Sequence, residues 1–486
     1  MTSPTTTKKN NTIMGARDSI SRQFAEYTHM VMGQRLYDLF IHALDTPAPT
    51  SIRINPEKWQ GPAPSSSLVP WSEHGYYLAE RPNFTLDPLL HAGAYYVQEA
   101  SSMFIQQVIS QHVGNSTNDS NNHCTPIIAL DMCAAPGGKS TAAIAMLPEG
   151  SMMICNEPIK QRANILAENI CKWGNANMMV TNNYPEDIAA SGLSFDLIIC
   201  DVPCSGEGMF RKDPKSIEEW SVGNIDKCSK LQREIVHAAW QCLKPGGLMV
   251  YSTCTFNLRE NEDNICWIAN NMDAEILPVH IQDEWHITGS LSDSCPWPVY
   301  RFIPGISQGE GLFMAAIRKK DNQDALHNKR KEKGGKGANR SVKTIDRRWA
   351  EQCKQWLCHA DNMEFHLAGD TIVAMDKNLK HIYQTAAKSL RIVHAGISLA
   401  TVRGNALVPH HCLALSTYIN REAFATVDTD TQTALDYMRR QPILLPDGTP
   451  KGIILLTHHD MPIGFVKNLG NRVNNLYPQE WRIRNL

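Results

Sequence analysis

No Cys-x-x-Cys pair and no regular cysteine spacing occur in this chain of 486 residues, although it carries 14 cysteines. The closest pairs are Cys200/Cys204 and Cys353/Cys358. That pattern excludes a disulfide framework and zinc-finger spacing, and reads most of the cysteines as small buried hydrophobes in a reducing compartment. His410/His411 and His458/His459 have no Cys or His partners at ligand spacing, so no metal is expected. No uninterrupted apolar run approaches eighteen residues, which argues against a membrane span, and Met1–Lys9 lacks the apolar stretch of a signal peptide. A cytoplasmic protein is the expectation. A marked net charge is also missing: 47 Lys and Arg against 49 Asp and Glu leave −2. Global charge therefore announces no polyanionic partner. One stretch does: residues 318–348 hold twelve Lys/Arg against four Asp/Glu, an excess of eight that leaves the remainder at −10. A local stripe of this kind is what phosphate responds to.

What is present is a soluble globular composition, 42% hydrophobic and 20% charged, in a chain long enough for three or more domains. After a polar start, residues 14–120 mix helical patterns, short strands and Pro-rich loops and read as an α+β domain of RNA-binding type. Residues 121–320 alternate strand and helix. Ile127–Leu130, Met152–Cys155, Met178–Val180, Phe195–Cys200, Leu248–Ser252 and Gly311–Ile317 read as strands of a largely parallel sheet, with ligands expected at its C-terminal edge. The predicted fold class is α/β, a Rossmann-like core. Residues 321–345 read as a basic linker, 346–404 as an intermediate domain and 405–486 as a small β-rich module.

Three signatures fall on that sheet edge. The first is Asp131-Met132-Cys133-Ala134-Ala135-Pro136-Gly137-Gly138-Lys139, a Gly turn between a strand and a helix where backbone can approach a ligand. It is not a P-loop, because Cys133 stands where that motif requires glycine, and no Gly-x-Gly-x-x-Gly occurs. Glu157, about twenty residues on and just past the second strand, is placed to accept hydrogen bonds from ribose hydroxyls. A ribose without a phosphate suits S-adenosylmethionine.

The other two signatures each carry a cysteine: Asp201-Val202-Pro203-Cys204-Ser205-Gly206-Glu207-Gly208 and Tyr251-Ser252-Thr253-Cys254-Thr255-Phe256-Asn257. Most isolated cysteines are inert and buried, as expected here for Cys200, Cys242 and Cys266. Cys204 and Cys254 differ because their surroundings are polar and glycine-rich. Two thiols, a carboxyl group and a methyl donor fit methyl transfer to the carbon of a pyrimidine. C5 of cytosine is a poor nucleophile until a thiolate adds to C6, and an acid group near N3 eases that addition.

These signatures resemble those of the Sun-type (nucleolar-protein-related) family of RNA cytosine-5 methyltransferases, over about residues 20–320. The resemblance implies that Cys254 is the nucleophile, Cys204 the thiol that assists release, and Asp201 the carboxyl partner. It implies cofactor contacts from Cys133, Ala134, Ala135, Pro136, Gly137, Gly138, Lys139, Glu157, Asn183 and Asp201. Asn183 departs from the family, which has an acidic residue there, and Val202 replaces the usual Ala. DNA cytosine-5 methyltransferases use the Pro-Cys thiol as nucleophile and lack a second cysteine at the position of Cys254. The ending, Leu445-Pro446-Asp447-Gly448 through Asn475-Leu476-Tyr477-Pro478, resembles the PUA-like module of those family members that modify cytosine 1407 of 16S rRNA. A 16S rRNA partner, free or in the 30S subunit, and a monomer are therefore expected. Methylation of tRNA and a catalytically silent ribosome-biogenesis factor are the alternatives. The target base must be unpaired or flipped out. Arg211 and Lys212 beside the Pro-Cys loop, and Lys467, Arg472, Arg482 and Arg484 in the terminal module, are the candidate phosphate contacts.

Overall fold

The alternating apolar runs and glycine turns of residues 125–321 build eight strands of a nine-stranded sheet. A computed structural model describes residues 19–113, 125–321 and 345–484. The basic linker expected at 321–345 lies almost wholly outside the described residues, as does most of the 318–348 stripe. Five strands run parallel: Ile128–Asp131, Met152–Asn156, Met178–Thr181, Phe195–Asp201 and Leu243–Thr253. Ile128–Asp131 lies at the centre. The next two strands continue to one side, while Phe195–Asp201 and Leu243–Thr253 lie on the other. The chain therefore reverses direction across the sheet between Asp131 and Asp201, and such a switch point opens a crevice at the carboxyl ends of the strands. Leu312–Lys319 pairs antiparallel with Leu243–Thr253 and carries Tyr300–Phe302 and Ala274–Leu277 on its far side.

Both faces of this sheet are covered, so its strands read as continuous apolar runs. Met152–Asn156 and Met178–Thr181 are buried at every position. The helix Lys160–Trp173 ends at Gly174 in the left-handed region, the usual glycine stop. The helix Val222–Cys242 starts from Ser221, whose side chain caps Asn224 N–H.

Three elements depart from the boundaries expected from sequence. Ile392–Ala395 belongs to the edge of the central sheet, antiparallel to Met178–Thr181, although it lies in the stretch read as an intermediate domain. The sheet of that domain, Met363–Ala368, Thr371–Asp376, Ile397–Arg403 and Ala406–Pro409, continues past residue 404. Cys171 and Cys412 are joined by a disulfide, where no cysteine pair was expected. They stand 241 positions apart with Cα atoms 5.5 Å from one another, a separation to which local spacing rules are blind. Cys200 and Cys242 are core residues, whereas Cys266 is only half-buried.

The N-terminal region supplies a three-stranded antiparallel sheet, Gly75–Leu78, Thr50–Ile54 and Tyr95–Val97, and the helix Arg22–Leu44, kinked at Gly33. That helix lies against the cysteine loops. Phe24 packs on Phe210 and Trp220 at 5.0 and 5.1 Å between ring centroids, and Phe40 on Phe256 at 5.0 Å. Phe210 and Phe256 lie in the loops that follow Cys204 and Cys254, so an aromatic cluster backs both. The terminal module is a four-stranded sheet of Ala425–Asp428, Gly452–His458, Met461–Asn468 and Val473–Asn475. Its core also takes in Ala92 and Leu86 of the N-terminal region. Among the described residues no helix is long and apolar enough to cross a membrane, and no cluster of His, Cys, Asp or Glu could hold a metal ion.

Candidate active site

Two loops leave adjacent parallel strands at the same level. Asp201 is in register with Ser252. Cys204 comes three residues after the first and Cys254 two after the second, and their Sγ atoms meet at 3.2 Å. Both sulfurs are half-buried. The backbone draws the loops together: Gly208 N–H donates to the carbonyl of Cys254 at 2.7 Å. A Cβ on residue 208 would stand 2.8 Å from that oxygen, so the approach requires glycine.

Two buried carboxylates staple the same loops. Glu207 Oε2 accepts from the N–H groups of Phe256 and Asn257 at 2.5 and 3.1 Å. Its Oε1 accepts from Trp220 Nε1 at 2.8 Å and Asn257 Nδ2 at 3.3 Å. Glu260 Oε2 takes Ser205 N–H at 3.0 Å and Gln232 Nε2 at 2.7 Å, while its Oε1 takes Asn257 Nδ2 at 2.7 Å. Burial pushes the Glu260 carboxyl up, against the hydrogen bonds from Ser205 and Asn257. A buried salt bridge between Arg301 and Glu262, with Arg301 Nη1 also donating to Phe256 O at 2.9 Å, supports the loop after Cys254 from behind. Sequence reasoning assigned no role to Glu207 or Glu260. The available signal was their position, three residues after Cys204 and six after Cys254, as acids in loops packed against aromatic rings.

The hydrogen bond with Cys254, followed by burial, raises the Cys204 thiol well above its ordinary range. Asp201 Oδ2 forms an ion pair with Lys139 Nζ at 2.9 Å, and Oδ1 accepts from Ser252 Oγ at 2.7 Å. Lys139 was expected only as part of the cofactor turn. Burial opposes its charge, but Asp201, with smaller contributions from Cys254 and Asp131, outweighs burial and raises its pKa. An ammonium group thus sits in the field of the nucleophile candidate.

The turn from Cys133 to Lys139 lies over the switch point, as read from sequence. It runs through a cis Ala135–Pro136 bond to Gly137 at φ 113°. Ala134 N–H donates to Asn156 O at 2.8 Å, and Pro136 O accepts from Tyr96 Oη and Asn169 Nδ2. Burial raises the Cys133 thiol well above its ordinary range, which suits packing rather than chemistry. Beside the turn stand two buried acids with spare acceptors. Asp131 Oδ2 takes Ser140 Oγ at 2.7 Å, but Oδ1 has no hydrogen-bond partner among the described residues. Burial, opposed by the Ser140 hydrogen bond and reinforced by the charge of Asp201, pushes Asp131 up to about 7. Glu157 Oε1 takes Ile159 N–H at 3.0 Å, while Oε2 makes no hydrogen bond and lies 3.4 Å from Arg162 Nη1. Orphaned buried acceptors of this kind call for a donor from a ligand.

Two expected site residues are placed differently. The Asn183 amide faces Arg391: Oδ1 accepts its N–H at 3.0 Å and Nδ2 donates to its carbonyl at 3.3 Å. It serves to dock the edge strand rather than presenting a free edge to a cofactor. A carboxylate there could accept the first bond but could not donate the second. Arg211 is also engaged. It pairs with Glu310 at 2.9 Å and donates to the carbonyls of Gly309 and Ala43, leaving 6% of its side chain exposed. It is a structural tie between the Pro-Cys loop and its neighbours, not an open phosphate contact. Lys212 next to it, and Lys467 and Arg472 in the terminal module, are exposed.

Three family models match the chain in order. Residues 20–100 match the N-terminal domain of 16S rRNA methyltransferase RsmF, 119–318 the 16S rRNA methyltransferase RsmB/F, and 424–483 the methyltransferase RsmF PUA domain. Among curated relatives, the ribosomal RNA small subunit methyltransferase F of Escherichia coli (strain K12) is 28% identical over 91% of this chain and 92% of the relative. The protein of the same name from Enterobacter sp. (strain 638) is 27% identical over the same shares. Among solved structures, a methyltransferase homolog protein from Pyrococcus horikoshii superposes with a TM-score of 0.52 at 25% identity, covering 63% of this chain and 98% of the other. NSun6 from the same organism, solved with SFG, gives 0.50 at 20% identity over 62% and 98%, a likeness of fold.

Proposed function

This chain belongs to the 16S rRNA methyltransferase RsmB/F family, and from that premise we propose how its residues carry out S-adenosylmethionine-dependent cytosine-5 methylation of 16S rRNA. The observation that carries the reading is the 3.2 Å approach of Cys204 and Cys254 beside Asp201. Cys254 adds to C6 of the target cytosine, and the proton that N3 takes up as charge builds there passes through the Asp201–Lys139 pair. Lys139 holds Asp201 in place through their ion pair at 2.9 Å. S-adenosylmethionine, when bound, supplies the methyl group as a sulfonium-activated electrophile. The turn from Cys133 to Lys139 is the cradle for it, and the spare acceptors of Asp131 and Glu157 fit its ammonium and hydroxyl donors. After methylation a base or water takes the C5 proton, the freed electron pair restores the C5=C6 double bond, and the C6–Sγ bond breaks with its electrons leaving on the Cys254 sulfur. Cys204 Sγ, 3.2 Å from that sulfur, assists the release.

The test is to incubate the protein with labelled methyl donor and 30S subunits, naked 16S rRNA or bulk tRNA, and to map any product. Label at C5 of cytosine 1407 in 16S rRNA is the expected result. Transfer to tRNA alone would overturn the substrate assignment, and no transfer to any RNA would favour a silent RNA-binding factor.

A further inference from the structure

A cavity of about 690 Å³ lies away from the cysteines, where the N-terminal sheet, the segment 414–421 and the terminal module meet. Its size is that of a small-ligand pocket. Trp59 forms one wall. Its indole N–H is spent on Pro62 O at 3.0 Å, which fixes the ring and leaves its face apolar. Lys58, Arg421, His459 and Asp460 bring polar groups to the same space. His459 and Asp460 form the two-residue turn of the hairpin Gly452–His458/Met461–Asn468, with φ of 50° and 62°. Such turns favour Asn-Gly. Here the sequence accepts two strained residues and gains an imidazole and a carboxylate at the cavity rim, a placement strain often accompanies at functional sites.

The charges decide between ligands. Lys58 and Arg421 are offset by Glu57 and Asp460, and Arg421 is paired with Asp460 at 2.6 Å. The cavity is therefore not a phosphate site. A fixed aromatic face bordered by both donors and acceptors suits a flat neutral heterocycle.

The placement identifies its source. The helix Lys160–Trp173 begins at the cofactor turn, where Arg162 Nη2 donates to Ala135 O. It ends at the cavity, where Lys58 Nζ donates to Lys172 O at 2.6 Å. Its 14 residues put about 21 Å between the cofactor turn and the cavity, a distance that a few nucleotides of strand can bridge. We propose that this cavity receives an unpaired base of the substrate RNA, stacked on Trp59, several nucleotides from the methylated cytosine. The inference rests on the rRNA reading above and names a second point of grip.

Steady-state methylation of 16S rRNA by Trp59→Ala, Trp59→Phe and His459→Ala tests it, alongside cross-linking with 4-thiouridine placed singly near the target. Trp59→Ala should raise KM for RNA about five- to hundredfold with kcat and KM for the methyl donor kept, and Trp59→Phe should restore most of the loss. The cross-link should fall on residues 57–62 or 459–462. If Trp59→Ala does not fold, a raised KM in His459→Ala, at the exposed hairpin tip, carries the same reading. Unchanged KM in the folded variants, cross-links confined to other segments, or tight binding of AMP with no effect on RNA would overturn it. Failure of the wild-type protein to methylate rRNA would sink the functional reading instead.

Discussion

Glu207→Gln is a one-atom test of what holds the sulfurs of Cys204 and Cys254 together. The carboxylate accepts four hydrogen bonds, two at each oxygen, from Phe256, Asn257 and Trp220, and is 2% exposed. An amide keeps one acceptor oxygen. If that oxygen serves the two backbone N–H groups, the new NH2 faces the Trp220 indole N–H and the Asn257 amide, donor against donor. Asn257 Nδ2 keeps Glu260 Oε1 and Thr255 Oγ1, but the Trp220 N–H and the new NH2 are left without an acceptor at about 1–3 kcal/mol each, so a total of about 3 kcal/mol is the expectation. For a domain of this size that lowers the melting temperature by about 6–12 °C, readable by calorimetry. A purely structural defect would stop there. Because these bonds tie the loop after Cys204 to the loop after Cys254, the variant at a temperature where it is folded should also lose at least tenfold in kcat, with KM for the methyl donor unchanged. A melting temperature within 2 °C of wild type, or kcat within twofold, would refute the stapling argument.

Four further outcomes follow from the site and its surroundings. Cys254→Ala should lose both methylation and covalent RNA attachment, whereas Cys204→Ala should accumulate a protein–RNA adduct visible on denaturing gels; free turnover by the latter would reverse the assignment of roles. Glu157→Ala should weaken binding of S-adenosylmethionine about tenfold or more, the worth of a hydrogen bond to a charged acceptor, as measured by calorimetry in the absence of RNA. Asp131→Asn should raise the melting temperature above pH 7 by removing a buried charge while weakening cofactor binding; a lowered melting temperature would contradict the strain assigned to it. His91 is buried at the junction with the terminal module, and burial lowers its pKa to about 4. The unfolded chain binds that proton near pH 6.5 and the folded chain only near pH 4, so the stabilisation is complete above pH 6.5 and drains away as pH falls toward 4. Calorimetry from pH 7.5 to 4.5 should show a shallower decline for His91→Gln than for wild type, and parallel curves would exclude this group as the source.

The two acids beside the cofactor turn show why binding and folding pull in opposite directions here. Asp131 and Glu157 are each about 1% exposed, and each has an oxygen that accepts no hydrogen bond among the described residues, Glu157 Oε2 having only the Arg162 guanidinium at 3.4 Å. A chain selected for stability alone would fill those positions with groups that satisfy themselves, as Asn156 does with Thr181, Asn183 and Met132. Adjacent strand ends thus carry one residue whose hydrogen bonds are closed within the protein and one left open. Glu157 follows Asn156 directly. The contrast assigns the first to architecture and the second to the ligand.

Motif and periodicity made the strand edge legible, because a buried parallel sheet forces continuous apolar runs, and glycine turns mark the exits of Ile128–Asp131 and Phe195–Asp201. The residues that sequence reasoning misread are those whose partners lie far along the chain. Arg211 looks like a phosphate contact until Glu310, 99 positions away, is seen to neutralise it. Asn183 looks like a weakened cofactor contact until Arg391, 208 positions away, takes both ends of its amide. That second case explains the departure from the acidic residue expected there. The strand Ile392–Ala395 adds itself to the edge of the sheet beside Met178–Thr181, and the residue before it gives its N–H to Asn183 Oδ1 while its C=O takes both the Asn182 N–H at 2.9 Å and Asn183 Nδ2. The asparagine amide supplies the acceptor and the donor that this arrangement uses, where a carboxylate could only accept. What reads as an erosion of the cofactor site is the price of fastening a C-terminal strand to the catalytic sheet.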